Sequence, residues 1–393
     1  MTGLAKETIE VPNLPGRIPS LDGLRAISIA LVFLGHGSMS YGSPSYLSPF
    51  HHLGNFGVRF FFVISGFLIT TLLLKEWKKT GRISLRKFYM RRALRIFPAA
   101  FAFIGIIAIL SALGVVQLKS GDLLHALTYT MNYKQVRSMF LDHLWSLSVE
   151  EQFYLLWPGL LILLGARKGF RGALIVCIAV PILRAFMWWY VGASETAMTK
   201  HFESVADALA TGCLLAGFFN RIGSLSFYSR LQRSGGLFLS LAACLVFLGN
   251  GMYLIRPGYF YVFGQTIANI GTVLCIDWCI RNSESMPGRL LNSAPLAFIG
   301  TLSYSLYLYQ NPFFLADVDH WATTLPLNIV CAIGAALASY YLVESPFLKL
   351  KRFYEPAQKL SSGDAQYATA SGSTHEVLCT PIPTTPPSSP HSS

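Results

Sequence analysis

Arg25 and His36 stand eleven residues apart in an apolar stretch. Eleven steps of about 100° make roughly three full turns of a helix, so both side chains project from one face, about 16 Å apart along the axis. Asp22, three residues before Arg25, falls close to the same face. Ionisable groups inside a bilayer are costly and mark functional candidates. A neutral imidazole there can take a proton from a hydroxyl or itself accept an acyl group. A bland reading also exists, in which the polar residues only tie neighbouring helices together. A second constellation is HLWSLSVEEQFY, with His143, Trp145 and Ser146 leading into Glu150 and Glu151. Adjacent carboxylates on a helix point about 100° apart and meet different partners. Either is a candidate general base or a group that orients a histidine; the alternative is an acidic pair facing outer water.

Two further stretches bear on binding. Arg91, Arg92 and Arg95 precede the apolar run that starts at Ile96. Arginine forks suit phosphate recognition, and Arg92 and Arg95 share a helical face, but plain cytoplasmic anchoring of a span explains the same charges. SYSLYLYQNPFF supplies Tyr304, Tyr307 and Gln310, either as an interfacial aromatic belt or as the wall of a substrate channel.

The elements that must position these residues are membrane helices. Of 393 residues, 53% are hydrophobic and 13% charged, against roughly a quarter charged in a soluble domain. The expected fold is all-α, a polytopic transmembrane helical bundle of about ten spans: 22–40, 57–75, 95–116, 144–164, 172–191, 203–220, 235–254, 259–280, 294–315 and 323–343. With both termini cytoplasmic, the basic block from Lys75 to Arg95 and the clusters at Arg167–Arg171, Arg221–Arg233, Arg281–Arg289 and Lys349–Arg352 all fall inside, as the positive-inside rule requires. The outside segments hold only Arg59, Lys119, Lys134, Arg137, Lys200 and Arg256. This places the net charge of +12 in short loops and argues against a nucleic-acid partner. Residues 1–18 read as a cytoplasmic tail without a cleavable signal pattern, 19–352 as the membrane domain, and 353–393, rich in Ser, Thr, Pro and Gly, as a disordered cytoplasmic tail. The seven cysteines show no metal-site or disulfide spacing, and no metal is expected.

Taken in order, PSLDGLRAISIALVFLGH, GVRFFFVISGFLITTLL, KFYMRRALRIFPA, HLWSLSVEEQFYLLWP, SYSLYLYQNPF and LVESPFLKL cover residues 19 to 350. Together they resemble the acyltransferase-3 family of integral membrane O-acyltransferases, which modify bacterial surface glycans, peptidoglycan, nodulation factors and some antibiotics. The resemblance implies residence in the inner (plasma) membrane among lipid, a cytoplasmic acyl-CoA donor, often acetyl-CoA, and a carbohydrate or lipid-linked acceptor. It implies that Arg25 and His36 are essential, with His36 catalytic, that Arg91, Arg92 and Arg95 handle CoA, and that Glu150 and Glu151 are the family's acidic motif. Many members carry a histidine near the position of Gln310, which cannot act as a base but can hydrogen-bond. The competing reading of the same intramembrane Arg, His and Glu is a proton-coupled transporter.

Overall fold

The computed structural model describes residues 11, 12, 14, 18–315, 320–351 and 354. The expected tail at 353–393 therefore lies, Tyr354 aside, outside the described residues. Every regular element among them is helical, and the chain is an all-α polytopic membrane bundle. The long helices are α1 Pro19–Gly37, α2 His52–Thr80, α3 Leu85–Ala112, α4 Leu144–Phe186, α5 Phe202–Ser224, α6 Gly235–Ile255, α7 Gln265–Arg281, α8 Ala294–Gln310 and α9 Leu327–Ser339. Each of the ten expected stretches overlaps a helix. Two of them, 144–164 and 172–191, fall in α4, which is two helices joined at Gly165, where a positive φ of 77° breaks the helical backbone.

Seven helical segments are long and apolar enough to cross a membrane: Ser45–Thr80, Leu85–Ala112, Met139–Val191, Glu195–Ser224, Gly235–Tyr253, Pro257–Arg281 and Leu327–Leu350. Two helices outside this set carry site residues. α1 contains Asp22, Arg25 and His36, which lower its apolarity, and α8 has only 17 residues. Local chemistry sets the boundaries. Pro19 opens α1, and left-handed Gly81 closes α2. Ser84 caps α3, its side chain accepting from the Lys87 amide at 3.4 Å.

Helix α1 packs on both α2 and α8, α2 also packs on α5, and α5 on α4. Small residues allow two of these contacts. A methyl group at Gly300 of α8 would fall on the Asp22 carbonyl of α1, and one at Gly66 of α2 on the Leu209 carbonyl of α5. Such close approach is the usual basis of helix association in lipid. Between α2, α4, α5 and α7 lies a polar knot. Arg184, fully buried, pairs with Asp207 at 2.9 Å and donates to Gln265 at 3.0 Å, and Arg59 donates to Gln265 and, at 3.3 Å, to Asn269. Arg59 is thus 6% exposed inside the bundle rather than in an outer loop. The N-terminal segment is also tied down: Lys75 Nζ donates to the Leu14 carbonyl and Asn220 Nδ2 to the Val11 carbonyl, both at 3.0 Å, and Val11 is buried.

Candidate active site

Three guanidiniums converge. Arg25 from α1 and Arg92 and Arg95 from α3 line one cavity of about 90 Å³. Asp22 steadies Arg25 at 3.3 Å, the i,i+3 pairing expected from their spacing. Arg92 lies over the rings of Phe88 and Tyr154, at 5.9 and 5.4 Å. Glu150 lines the same cavity and accepts a hydrogen bond from Ser65 at 2.6 Å; Tyr154 donates to that serine hydroxyl at 3.4 Å. Tyr304, Tyr307 and Ser146 complete the wall. Tyr304 donates to the Ile96 carbonyl at 2.7 Å, joining α8 to α3. Tyr307 donates to the His143 carbonyl at 2.7 Å, and Ser146 shares a 2.6 Å bond with Tyr307.

His36 does not line this cavity. It sits at the other end of α1, where Gln310 from the end of α8 meets it at 2.8 Å, Nδ1 to Oε1. An amide oxygen only accepts, so Nδ1 carries the proton and Nε2 keeps its lone pair. Gly54 of α2 leaves room beside that edge of the ring: a methyl there would touch Cδ2 at 3.5 Å and Nε2 at 3.7 Å. Gln310 is fully buried, and its Nε2 has no partner among the described residues. Nearby, His143 donates from Nε2 to the Leu308 carbonyl at 2.9 Å, and Trp145 packs edge-on to Phe62 with Lys200 Nζ 5.8 Å from its ring.

The structure therefore gathers Arg25, Arg92, Arg95, Glu150, Ser146, Tyr304 and Tyr307 around one space, and places His36 with Gln310 in a second. Arg91 goes elsewhere: it pairs with Glu76 at 2.8 Å and donates to the Tyr354 carbonyl at 3.1 Å, so it fastens the α2–α3 turn. Glu151 points away from Glu150, as the 100° step requires, and lines a separate chamber of about 410 Å³ with Tyr129, Arg92 and Tyr154. Sequence reasoning did not single out Ser65, which holds Glu150, nor Tyr129. Tyr154 had a legible signal, since it sits four residues after Glu150 on the same face.

Comparison with known proteins shows the family. Residues 18–344 match the family model for an acyltransferase domain. The chain is 29% identical over 356 residues to the peptidoglycan O-acetyltransferase OatA of Listeria monocytogenes, covering 84% of this chain and 54% of the relative. It is 27% identical over 357 residues to the putative peptidoglycan O-acetyltransferase YrhL of Bacillus subtilis, with coverage of 84% and 54%. A putative O-acetyltransferase of Staphylococcus aureus is 28% identical over 373 residues, with coverage of 84% and 57%. The chain spans about half the length of these curated relatives. No solved structure matches it. A family match that runs through the arginine cavity, the acidic pair of α4 and the His36–Gln310 contact establishes that the chain belongs to the acyltransferase-3 family.

Proposed function

We propose that this chain is a membrane O-acyltransferase that draws an acyl group, acetyl in the simplest case, from cytoplasmic acyl-CoA and passes it to a hydroxyl of a carbohydrate or lipid-linked acceptor. The observation that carries the reading is the His36–Gln310 bond, 2.8 Å, on the same helix as an arginine cavity. Arg25, Arg92 and Arg95 bring concentrated positive charge to one space, which suits the phosphates of the donor. The nucleotide phosphates then lie at the arginine end and the pantetheine arm runs toward His36.

At His36 the Nε2 lone pair takes the proton of the acceptor hydroxyl while its oxygen attacks the thioester carbonyl. The carbon–sulfur bond breaks, and the thiolate recovers the proton from the imidazolium as free CoA thiol. Gln310 holds the tautomer, the task a carboxylate performs in a Ser-His-Asp triad. The unpartnered Gln310 Nε2 supplies a donor for a ligand oxygen beside the ring. The alternative class, a proton-coupled carrier, finds no support in the family match or in the acetyltransferase names of the relatives.

The test is acyl transfer from acetyl-CoA by purified, detergent-solubilised His36→Gln, matched to the parent for expression and folding. Loss of a general base costs about 10²–10⁴-fold, and a loss of that size is expected. Turnover within a few-fold of the parent would remove His36 from the chemistry and move the search to Glu150 and Glu151.

A further inference from the structure

The chamber of about 410 Å³ between α3 and α4 has no part in the reaction scheme above. Two of its polar groups are left unsatisfied. Among the described residues, Glu151 Oε1 and the Tyr129 hydroxyl have no hydrogen-bond partner. Arg92 shares the chamber and is held over ring faces, with no ion pair among the described residues. Buried groups left this way are destabilising unless a ligand or water completes them.

The chamber is also built at a cost. Tyr129 has φ 53°, the one positive φ outside glycine among the described residues, a conformation that bulky residues rarely adopt. It is held there from both sides. Gln152 Nε2 donates to its carbonyl at 3.0 Å and exchanges bonds of 3.0 and 3.2 Å with Asn132. The Tyr129 ring stacks on Phe97, 5.6 Å between centroids. Burial, with the charge of Glu151 adding to it, raises the Tyr129 pKa above the usual phenol range, so the group remains a hydroxyl donor.

We propose that this chamber binds a sugar ring, or a polyol of similar size, carried on an apolar tail. Each hydroxyl of such a ligand both donates and accepts, so one functional group satisfies the carboxylate, the guanidinium and the phenol together. A phosphate suits Arg92 and opposes Glu151; an ammonium does the reverse. The stacked Tyr129 and Phe97 rings offer a face to the C–H side of a sugar. The tail follows from the setting: Leu155, which lines the chamber, is 65% exposed on α4, and Phe101 on α3 is 43% exposed, an apolar surface that meets lipid. Arg92 and Tyr154 line both cavities, so one layer of side chains separates the sugar from the donor space. This rests on the carbohydrate-acceptor reading and deepens it, since it makes the acceptor lipid-borne and gives it a lateral docking point, from which its hydroxyl must still move toward His36 at the other end of α1.

Binding is measured without turnover, on the full chain in lipid nanodiscs, with tritiated octyl β-glucoside as probe and octyl phosphocholine as competitor. Saturable glucoside binding that the phosphocholine fails to displace is expected. Glu151→Leu and Ala93→Phe, which remove the acceptor and fill the chamber, should each weaken it about tenfold or more. Tyr129→Phe, which deletes a single oxygen and keeps the ring, should weaken it less, and it preserves the test if Glu151→Leu fails to fold. Arg25→Ala, in the other cavity alone, should leave binding intact. Equal displacement by octyl phosphocholine would make the chamber an ordinary lipid groove, and absence of saturable binding would overturn the proposal outright. His36→Gln should bind the glucoside normally, so an error about His36 and an error about the chamber give different results.

Discussion

Among the three neighbouring arginines of α3, the structure assigns different surroundings to residues that look alike in sequence. Arg92 and Arg95 line the arginine cavity proposed for the donor, whereas Arg91 bridges Glu76 and the Tyr354 carbonyl. Arg95→Ala should therefore raise the acyl-CoA KM about tenfold or more, the worth of one charge-assisted bond, with the acceptor KM little changed. Arg91→Ala should leave the donor KM near the parent value and lower thermal stability instead. Initial-rate kinetics and thermal unfolding of both variants check this; a donor KM effect at Arg91 equal to that at Arg95 would contradict it. The shared face of Arg92 and Arg95, the Asp22–Arg25 pair and the divergence of Glu150 from Glu151 were all legible, because each follows from helical geometry. The partner of His36 was not. Glu150 was the sequence candidate for orienting it, but lateral neighbours across 274 residues leave no local signal, and Gln310 stands there instead.

Two helix contacts, α1 with α8 and α2 with α5, depend on glycine. In an isolated helix Gly→Ala gains up to about 1 kcal/mol. At Gly300 the added methyl would strike the Asp22 carbonyl, and overpacking of this kind costs about 1–3 kcal/mol. Gly105 in α3 has open space around the same position. Gly300→Ala should thus lower the unfolding temperature in detergent while Gly105→Ala leaves it level or raises it; the same sign of shift in both would show that propensity, not packing, decides. Composition locates both glycines in apolar runs but cannot say which one touches a neighbour. The division of α4 was legible except for its exact place: the two expected stretches correspond to two helices, but the non-helical residue is Gly165, and the basic Arg167–Arg171 segment opens the second helix.

At the scale of the whole chain, hydropathy and charge were the most informative signals, because lipid forces every backbone group to be satisfied within a helix. They did not reveal that residues 128–130, in the segment between α3 and α4, reach back to line a chamber with Glu151; a polar connection looks the same in sequence whether it floats or packs. The charge bias supports ten crossings with both termini cytoplasmic. Reporter fusions after Lys79, Arg171 and Arg233 should then report cytoplasm and one after Lys134 the outside, with an inverted signal at Arg171 enough to reject the count. The hold on the N-terminal segment has a consequence in time. Val11 finds its donor on Asn220, 209 residues later. At roughly 5–20 residues per second on the ribosome, that donor emerges about 10–40 s after the carbonyl it binds. During synthesis the first helices must enter the bilayer with this strap unlatched, and it can fasten only once α5 has followed them.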